Sequence, residues 1–414
     1  MKACEVGAAR SRLGAGGVAL VALQRSRRAT SAASSVSLGM ATMLDSQRDL
    51  TAARRPLRAI VGDLVPRSVL APWLVSRALV AVTLMFFGAR AGRFIPDYQR
   101  LVTWDGNWYR IIATSGYGPP PHPGSWSTWP FFPLLPGLVW LARQIGSPYT
   151  VALVACSNVA ALIAFAGVRK AALLVTDERA ATWAVWLTAL FPGSITFVMG
   201  YPDSLYLAGA VWAFVLVAKR RPGWAGVAAL VATAARPNGF VVLVALAVAV
   251  AVVPAEGRYV LRSMIATLGP SIAFLVGWGW WLWHATGDPF VFVRAKGAWV
   301  ETTLAQLVTS PIERRWAGLH LLVSVLLAAP FVLRWRRYPV SWRVLAVLSL
   351  LPPLALGLVG LACYSICCFP LAIAAGDLAA HRRPAARLPR WPLIASAALL
   401  VVWGLLITQW SYVP

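Results

Sequence analysis

The sequence predicts an all-α, polytopic membrane protein, and three observations carry that prediction. Of the 414 residues, 59% are hydrophobic and only 13% are charged, against about 25% charged in a soluble domain. Apolar runs close to membrane-spanning length, about 20 residues, recur along the chain. The arginines gather between those runs, where the positive-inside rule places them. The formal net charge of +24 is therefore read as loop charge facing a lipid bilayer. No nucleic-acid partner is expected.

Taken in order, residues 1–66 are rich in Arg, Ala and Ser and lack an apolar core long enough for a signal peptide. They are expected to form a disordered cytoplasmic tail, with Met40 or Met43 as an alternative start. Residues 67–414 form the membrane domain. Its first span, 68–89, leaves the basic flank of Arg54, Arg55, Arg58 and Arg67 inside. Residues 90–130 make a large outer loop, and 131–145 is a surface helix. The spans 149–168 and 181–199 lead to a tight outer turn at 200–204, and 205–218 returns. Two half-length helices, 223–235 and 239–253, are broken at Arg236-Pro237-Asn238-Gly239. Basic residues flank both ends of this pair, so it reads as a hairpin with Arg236 at its apex. A span over 264–283 leads to a second outer loop, 284–315. Spans at 316–333, 342–360, 363–380 and 391–412 complete about eleven hydrophobic segments. No internal repeat is visible.

The stretch 103–118, TWDGNWYRIIATSGYG, is an aromatic and polar island between apolar segments. Trp104, Trp108, Ile111 and Ile112 recur at helical spacing, which predicts a short amphipathic helix along the membrane surface. Gly116-Tyr117-Gly118 ends it. Asp105 is one of fourteen acidic residues in the chain. A carboxylate among aromatic rings suits a sugar site, where it can take a hydroxyl proton; the alternative is an N-cap. Asp203 is open to the same two readings, as a second acid at the outer mouth or as a cap. Asp288 belongs to the outer side as well. Arg236, at the break of a membrane hairpin, must face water, an acid or an anion. It is either a phosphate clamp or the ion-pair partner of Asp203 or Asp105. Lys296 and Arg294 are further candidates for a phosphate.

The four histidines show no ligand spacing, and the five cysteines show neither a metal pattern nor a pairing. No metal ion or cofactor is expected. Nucleotide-binding and nucleophile-elbow motifs are absent from the sequence. An outward-facing site has no nucleotide supply, so a sugar transferase there needs a lipid-carried donor.

WDGNWYRIIATSGYG, FFPLLPGL, FPGSITFVMGYPDSLY, ARPNGF and GDPFVFVRAKGAW occur in that order from about Ser68 onward. Their succession resembles the motifs of the PIG-V-type mannosyltransferases, the second mannosyltransferases of GPI-anchor synthesis and their bacterial relatives. The resemblance implies a GT-C fold with its active site on the extracytoplasmic face of a bacterial plasma membrane. It implies an inverting transfer of a hexose, mannose by the family's habit, from a polyprenyl-phosphate donor to a glycan or glycolipid acceptor. Asp105 would be the catalytic acid, and Arg236 with Lys296 would hold the donor phosphate. Trp104, Trp108, Tyr109, Tyr201, Asp203, Asn238 and Asp288 would line the substrate site. Tyr201-Pro202-Asp203-Ser204 matches the family's Tyr-x-Glu-Ser with Asp for Glu. Cys363 departs from the pattern, standing where relatives carry an Arg before Tyr364. That departure keeps open a non-catalytic subunit of the same fold. A transporter or lipid flippase is the rival of another class, although its usual repeated halves are missing.

The topology is testable by single-cysteine labelling on a cysteine-free background. A cysteine beside Asp105 should react with an impermeant reagent in intact cells, and one within 219–221 only after permeabilisation. The reverse pattern would overturn the scheme.

Overall fold

The computed structural model describes residues 66–90, 92 and 98–408, apart from 123, 253–256, 300–301, 313 and 382–389. The expected tail and alternative starts lie outside the described residues, as do Asp97, Glu301 and Glu313. Every element among the described residues is helical. The α-helices are α1 Arg67–Arg90, α2 Asp105–Ser115, α3 Leu134–Gln144, α4 Tyr149–Ala172, α5 Glu178–Leu190, α6 Asp203–Ala218, α7 Pro222–Ala235 and α8 Gly239–Ala251. After them come α9 Gly257–Thr286, α10 Val291–Ala295, α11 Leu304–Thr309, α12 Arg315–Leu333, α13 Val340–Leu356, α14 Leu361–Cys367, α15 Phe369–His381 and α16 Arg390–Thr408. Helices α1, α4, α9 and α12 are each long and apolar enough to cross a membrane, and α14 and α15 pass that test together as a bent pair. The chain is an all-α polytopic membrane protein.

The half-length pair is present as α7 and α8, with Pro222 in the first turn of α7, where a missing N–H costs nothing. At about 1.5 Å per residue each is close to 20 Å long, so the pair forms a hairpin whose tip carries Arg236. Two expected spans are broken instead. The run expected at 181–199 stops as α-helix at Leu190, because Pro192 forces Phe191 into extended backbone (φ −59°, ψ 143°). It continues as a 3-10 turn over Pro192–Phe197. The run expected at 363–380 bends by 76° between α14 and α15. Pro370 cannot donate to the i−4 carbonyl, so the ladder fails there.

Helices in a bilayer approach closely only where small residues let their backbones meet. Each of the tightest neighbouring pairs has such a residue. Gly209 of α6 faces the backbone of Ala228 and Ala232 in α7, and Gly226 of α7 faces the Ala266 carbonyl of α9. Gly376 of α15 faces Ala180 and Ala184 of α5. A Cβ on Gly226 would lie 2.1 Å from the Ala266 oxygen, whereas one on Gly269 of α9 would meet nothing within 4 Å. Gly226→Val should therefore destabilise the protein by about 1–3 kcal/mol through overpacking. Gly269→Ala should leave stability unchanged or raise it by up to about 1 kcal/mol. Thermal unfolding in detergent measures both, and a harmless Gly226→Val would refute this packing.

Candidate active site

The site is assembled where non-helical segments meet at one end of the bundle. The chain leaving the 3-10 turn at Phe197 crosses the interior before α6 begins. Its backbone groups need internal partners there. Helices α1 and α4 supply them. Arg77 Nη2 donates to the Phe197 carbonyl (2.8 Å), Asn158 Nδ2 to that of Val198 (3.0 Å) and Ser157 Oγ to that of Tyr201 (2.8 Å). The Gly200 N–H bonds the Leu101 carbonyl at 2.8 Å, which ties this segment to the first loop.

Tyr201 then fixes the start of α2. Its hydroxyl accepts the Asp105 N–H (3.3 Å) and reaches the Thr103 carbonyl (3.4 Å). Between those two contacts sits Trp104, the N-cap, at φ 56° and ψ −123°. Such backbone costs a bulky L-residue about 1–3 kcal/mol and persists only where its surroundings over-determine it. Asp105 is the first residue of α2, and no side-chain capping bond is made at this terminus, so the cap reading of Asp105 fails. Tyr201 is only 2% exposed. Its hydroxyl supports the start of the helix that carries the acid. Tyr109 is likewise buried, edge-on to Phe131 at 5.2 Å. Trp108 stacks on the same Phe131 at 5.9 Å.

Asp203 opens α6 without capping it, because its carboxylate is taken by Arg236. Nη1 of Arg236 lies 2.5 Å from Asp203 Oδ1. Cys367 Sγ is 3.5 Å from the same oxygen, and the guanidinium lies over the Tyr364 ring at 4.6 Å. Of the two partners weighed for Arg236, Asp203 is the one it has. Its other guanidinium nitrogens make no hydrogen bond to a described residue. Asn238, next to it at the hairpin tip, has a buried Oδ1 with no hydrogen-bond partner.

Asp203, Arg236 and Lys296 all lie within electrostatic reach of Asp105. Burial pushes the Asp105 carboxyl above the ordinary carboxylate range. Lys296 and then Arg236 pull it back down, while Asp203 pushes it up. Burial also raises the Tyr109 phenol, with Asp105 adding to the effect. The structure thus brings Asp105, Asp203, Arg236 and Lys296 together, from four separate segments. Asp288 does other work: its Oδ1 accepts the Phe290 N–H (2.9 Å), and its carboxylate pairs with Arg294. That pair shapes the second loop and accounts for Arg294. Cys363 is buried and lies near Thr196 and within reach of Asp203, Arg236 and Asp105.

Tyr364 and Cys367, which frame the ion pair, were not singled out by the sequence reading. Their separation of three residues, which puts both on one helical face, was the available signal.

No family model and no curated protein matches the chain. Its fold is similar to solved structures of the oligosaccharyltransferase of Archaeoglobus fulgidus. The apo form superposes with a TM-score of 0.50 at 14% identity, covering 84% of this chain and 57% of that one. The form tethered by a disulfide to an acceptor peptide containing the NVT sequon gives 0.51 at 14% identity, covering 84% and 56%. This chain spans well under two thirds of those proteins' length. The likeness shows that the fold is shared with those structures.

The Asp203–Arg236 pair can be tested apart from any activity. Removing one partner leaves the other charge buried and unpaired, at a cost of about 3–5 kcal/mol. Asp203→Asn and Arg236→Gln should each lower yield and thermal stability in detergent. The double variant should recover much of both. Additive losses in the double variant would show that the pair is not coupled.

Proposed function

We propose that the protein is an inverting membrane glycosyltransferase that uses a polyprenyl-phosphate sugar. The single observation behind this reading is Asp105, a partly buried carboxyl at the mouth facing two cations, Arg236 and Lys296, from separate segments. An acid opposite two phosphate-binding cations is what transfer from a lipid phosphate requires. The acceptor hydroxyl approaches Asp105, which takes its proton as the oxygen bonds to the anomeric carbon. The bond from that carbon to the phosphate oxygen breaks on the opposite face, and the configuration inverts. The departing polyprenyl phosphate gains negative charge, which Lys296 and the unengaged edge of Arg236 stabilise.

Mannose as the sugar, a glycan or glycolipid as the acceptor, and kinship with the PIG-V-type enzymes rest on the five ordered motifs. The positive-inside rule supports an extracytoplasmic mouth. Arg169, Lys170, Lys219, Arg220, Arg334 and Arg337 all lie at helix ends opposite the one that carries Asp105 and Asp203.

Asp105→Asn keeps the shape of the side chain and removes the proton acceptor. It should fold normally and lose transfer by about 100- to 10,000-fold. The pH profile gives a second readout. The base works only when ionised, so kcat/KM should fall as pH drops through a value above about 3.9, the ordinary Asp value. Lys296 pulls that value down, so Lys296→Gln should move the limb to higher pH. A well-folded Asp105→Asn protein with near-normal transfer from polyprenyl-phosphate mannose would remove Asp105 from this role.

A further inference from the structure

A cavity of about 350 Å³ opens beside α2, and none of Asp105, Asp203, Arg236 and Lys296 lines it. Gln99, Thr103, Trp104, Asn107, Arg110 and Thr150 line it. Its size is within the range of small-ligand sites. Asn107 and Arg110 share one face of α2, with Thr103 and Trp104 in the turn before it, while Tyr109 and Ile112 turn into the bundle. The residues of this short helix divide by chemistry. Asp105 lies within reach of Arg236 and Lys296, and Asn107 and Arg110 wall the cavity.

The cavity wall combines one indole, two carboxamides, two hydroxyls, a guanidinium and the side chain of Val102, and none of these described residues is an acid. Arg110 is oriented in it, because Nε (3.1 Å) and Nη2 (2.7 Å) both donate to Asn107 Oδ1. The Asn107 amide nitrogen and Arg110 Nη1 make no hydrogen bond to a described residue, so they remain available to a ligand. An acyl chain there would leave these groups without partners, at a cost. A pyranose satisfies them: its flat face covers an indole and its neighbouring hydroxyls meet planar donors.

We infer that this cavity binds the sugar ring of the acceptor, which rests on the transferase reading above. The donor belongs elsewhere, since its phosphate needs Arg236 and Lys296, and neither of them lines this cavity. Trp104 joins the two sites. Its indole borders the cavity, and the next residue is the proposed base. The strained backbone at Trp104 and its clamp by Tyr201 hold that wall and that acid in fixed register. An acceptor ring on the indole thus places a hydroxyl at the edge of α2 from which Asp105 is reached.

The test uses the full-length protein in detergent and two probes, octyl α-mannopyranoside and a short-chain polyprenyl phosphate. Binding of each is measured at equilibrium by saturation-transfer NMR titration. Asn107→Ala and Arg110→Gln should each weaken the mannoside about tenfold, as expected for one lost hydrogen bond. Polyprenyl-phosphate affinity should stay unchanged. Thr150→Trp should fill the cavity and abolish mannoside binding. The double variant Asp203→Asn with Arg236→Gln should do the opposite, weakening the phosphate probe alone. Wild-type protein that does not bind the mannoside, or Thr150→Trp protein of normal stability that binds it fully, would overturn the inference. Mannoside binding that follows this pattern without any transfer would sink the transferase reading and leave the cavity as a sugar site. Transfer with an acceptor KM unaffected by all three cavity variants would do the reverse.

Discussion

Burying an arginine at the tip of a helical hairpin leaves few arrangements open, and the one found here organises the whole mouth. Arg236 ends α7, a helix too short to carry it to the far interface. Its charge must be met where it stands. Asp203 meets it from the first turn of α6, the helix that packs most closely on α7 because Gly209 lets their backbones touch. Tyr364 and Cys367 of α14 close the remaining sides. Three elements distant in sequence are thus fixed relative to one charge. Such a pair does not make a fold more stable than well-packed apolar residues would. What the pair provides is an oriented guanidinium, fixed by Asp203 and lying over the Tyr364 ring.

The acid opposite it depends on a second constraint. Irregular backbone inside a bilayer-spanning bundle must find its hydrogen bonds within the protein. The segment after the 3-10 turn at Pro192–Phe197 finds them on Arg77, Asn158 and Ser157. Arg77 has no acidic partner among the described residues. Carbonyl and amide oxygens and the rings of Trp73 and Phe165 satisfy it. Because this segment is anchored, Tyr201 is anchored. Because Tyr201 is anchored, Trp104 is held in a conformation it would otherwise leave. Polar groups deep in α1 and α4 therefore set the position of Asp105.

Much of this was legible in the sequence, and the failures share one cause. Apolar run lengths and flanking arginines located most of the helices. Arg-Pro-Asn-Gly located the hairpin tip, since proline and glycine there end one helix and start another. Gly116 ended α2 as expected, at φ 77°. Asp105, Asp203, Arg236 and Lys296 were each named as candidates, but the identity of the partner of Arg236 remained open between two acids. A choice of that kind depends on which helices touch, and no local pattern records it. The bond from the Asp105 N–H to the Tyr201 hydroxyl was not foreseen for the same reason, because it joins two segments far apart in sequence. The breaks at Phe191 and near Cys368 were written in Pro192 and Pro370. Hydropathy summed over a window conceals a proline that the ladder cannot ignore.

Cys363 bears on how the proposed chemistry is shared among cations. It occupies the interior of the mouth, near Thr196 and within reach of Asp203, Arg236 and Asp105. A cation at this position, as the resembling family has, would add a third positive charge opposite two acids. This chain has two cations there, and Asp203 already neutralises much of Arg236. Under the proposed function, the charge that answers a phosphate must then come mainly from Lys296. Lys296 lies at the end of α10, on an exposed loop, with a flexible stem. An ammonium on such a stem can follow a developing phosphate charge but fixes its geometry poorly. The oriented guanidinium of Arg236 supplies the geometry that Lys296 lacks. The two cations are therefore complementary, with Arg236 locating the phosphate and Lys296 balancing its charge as the sugar leaves.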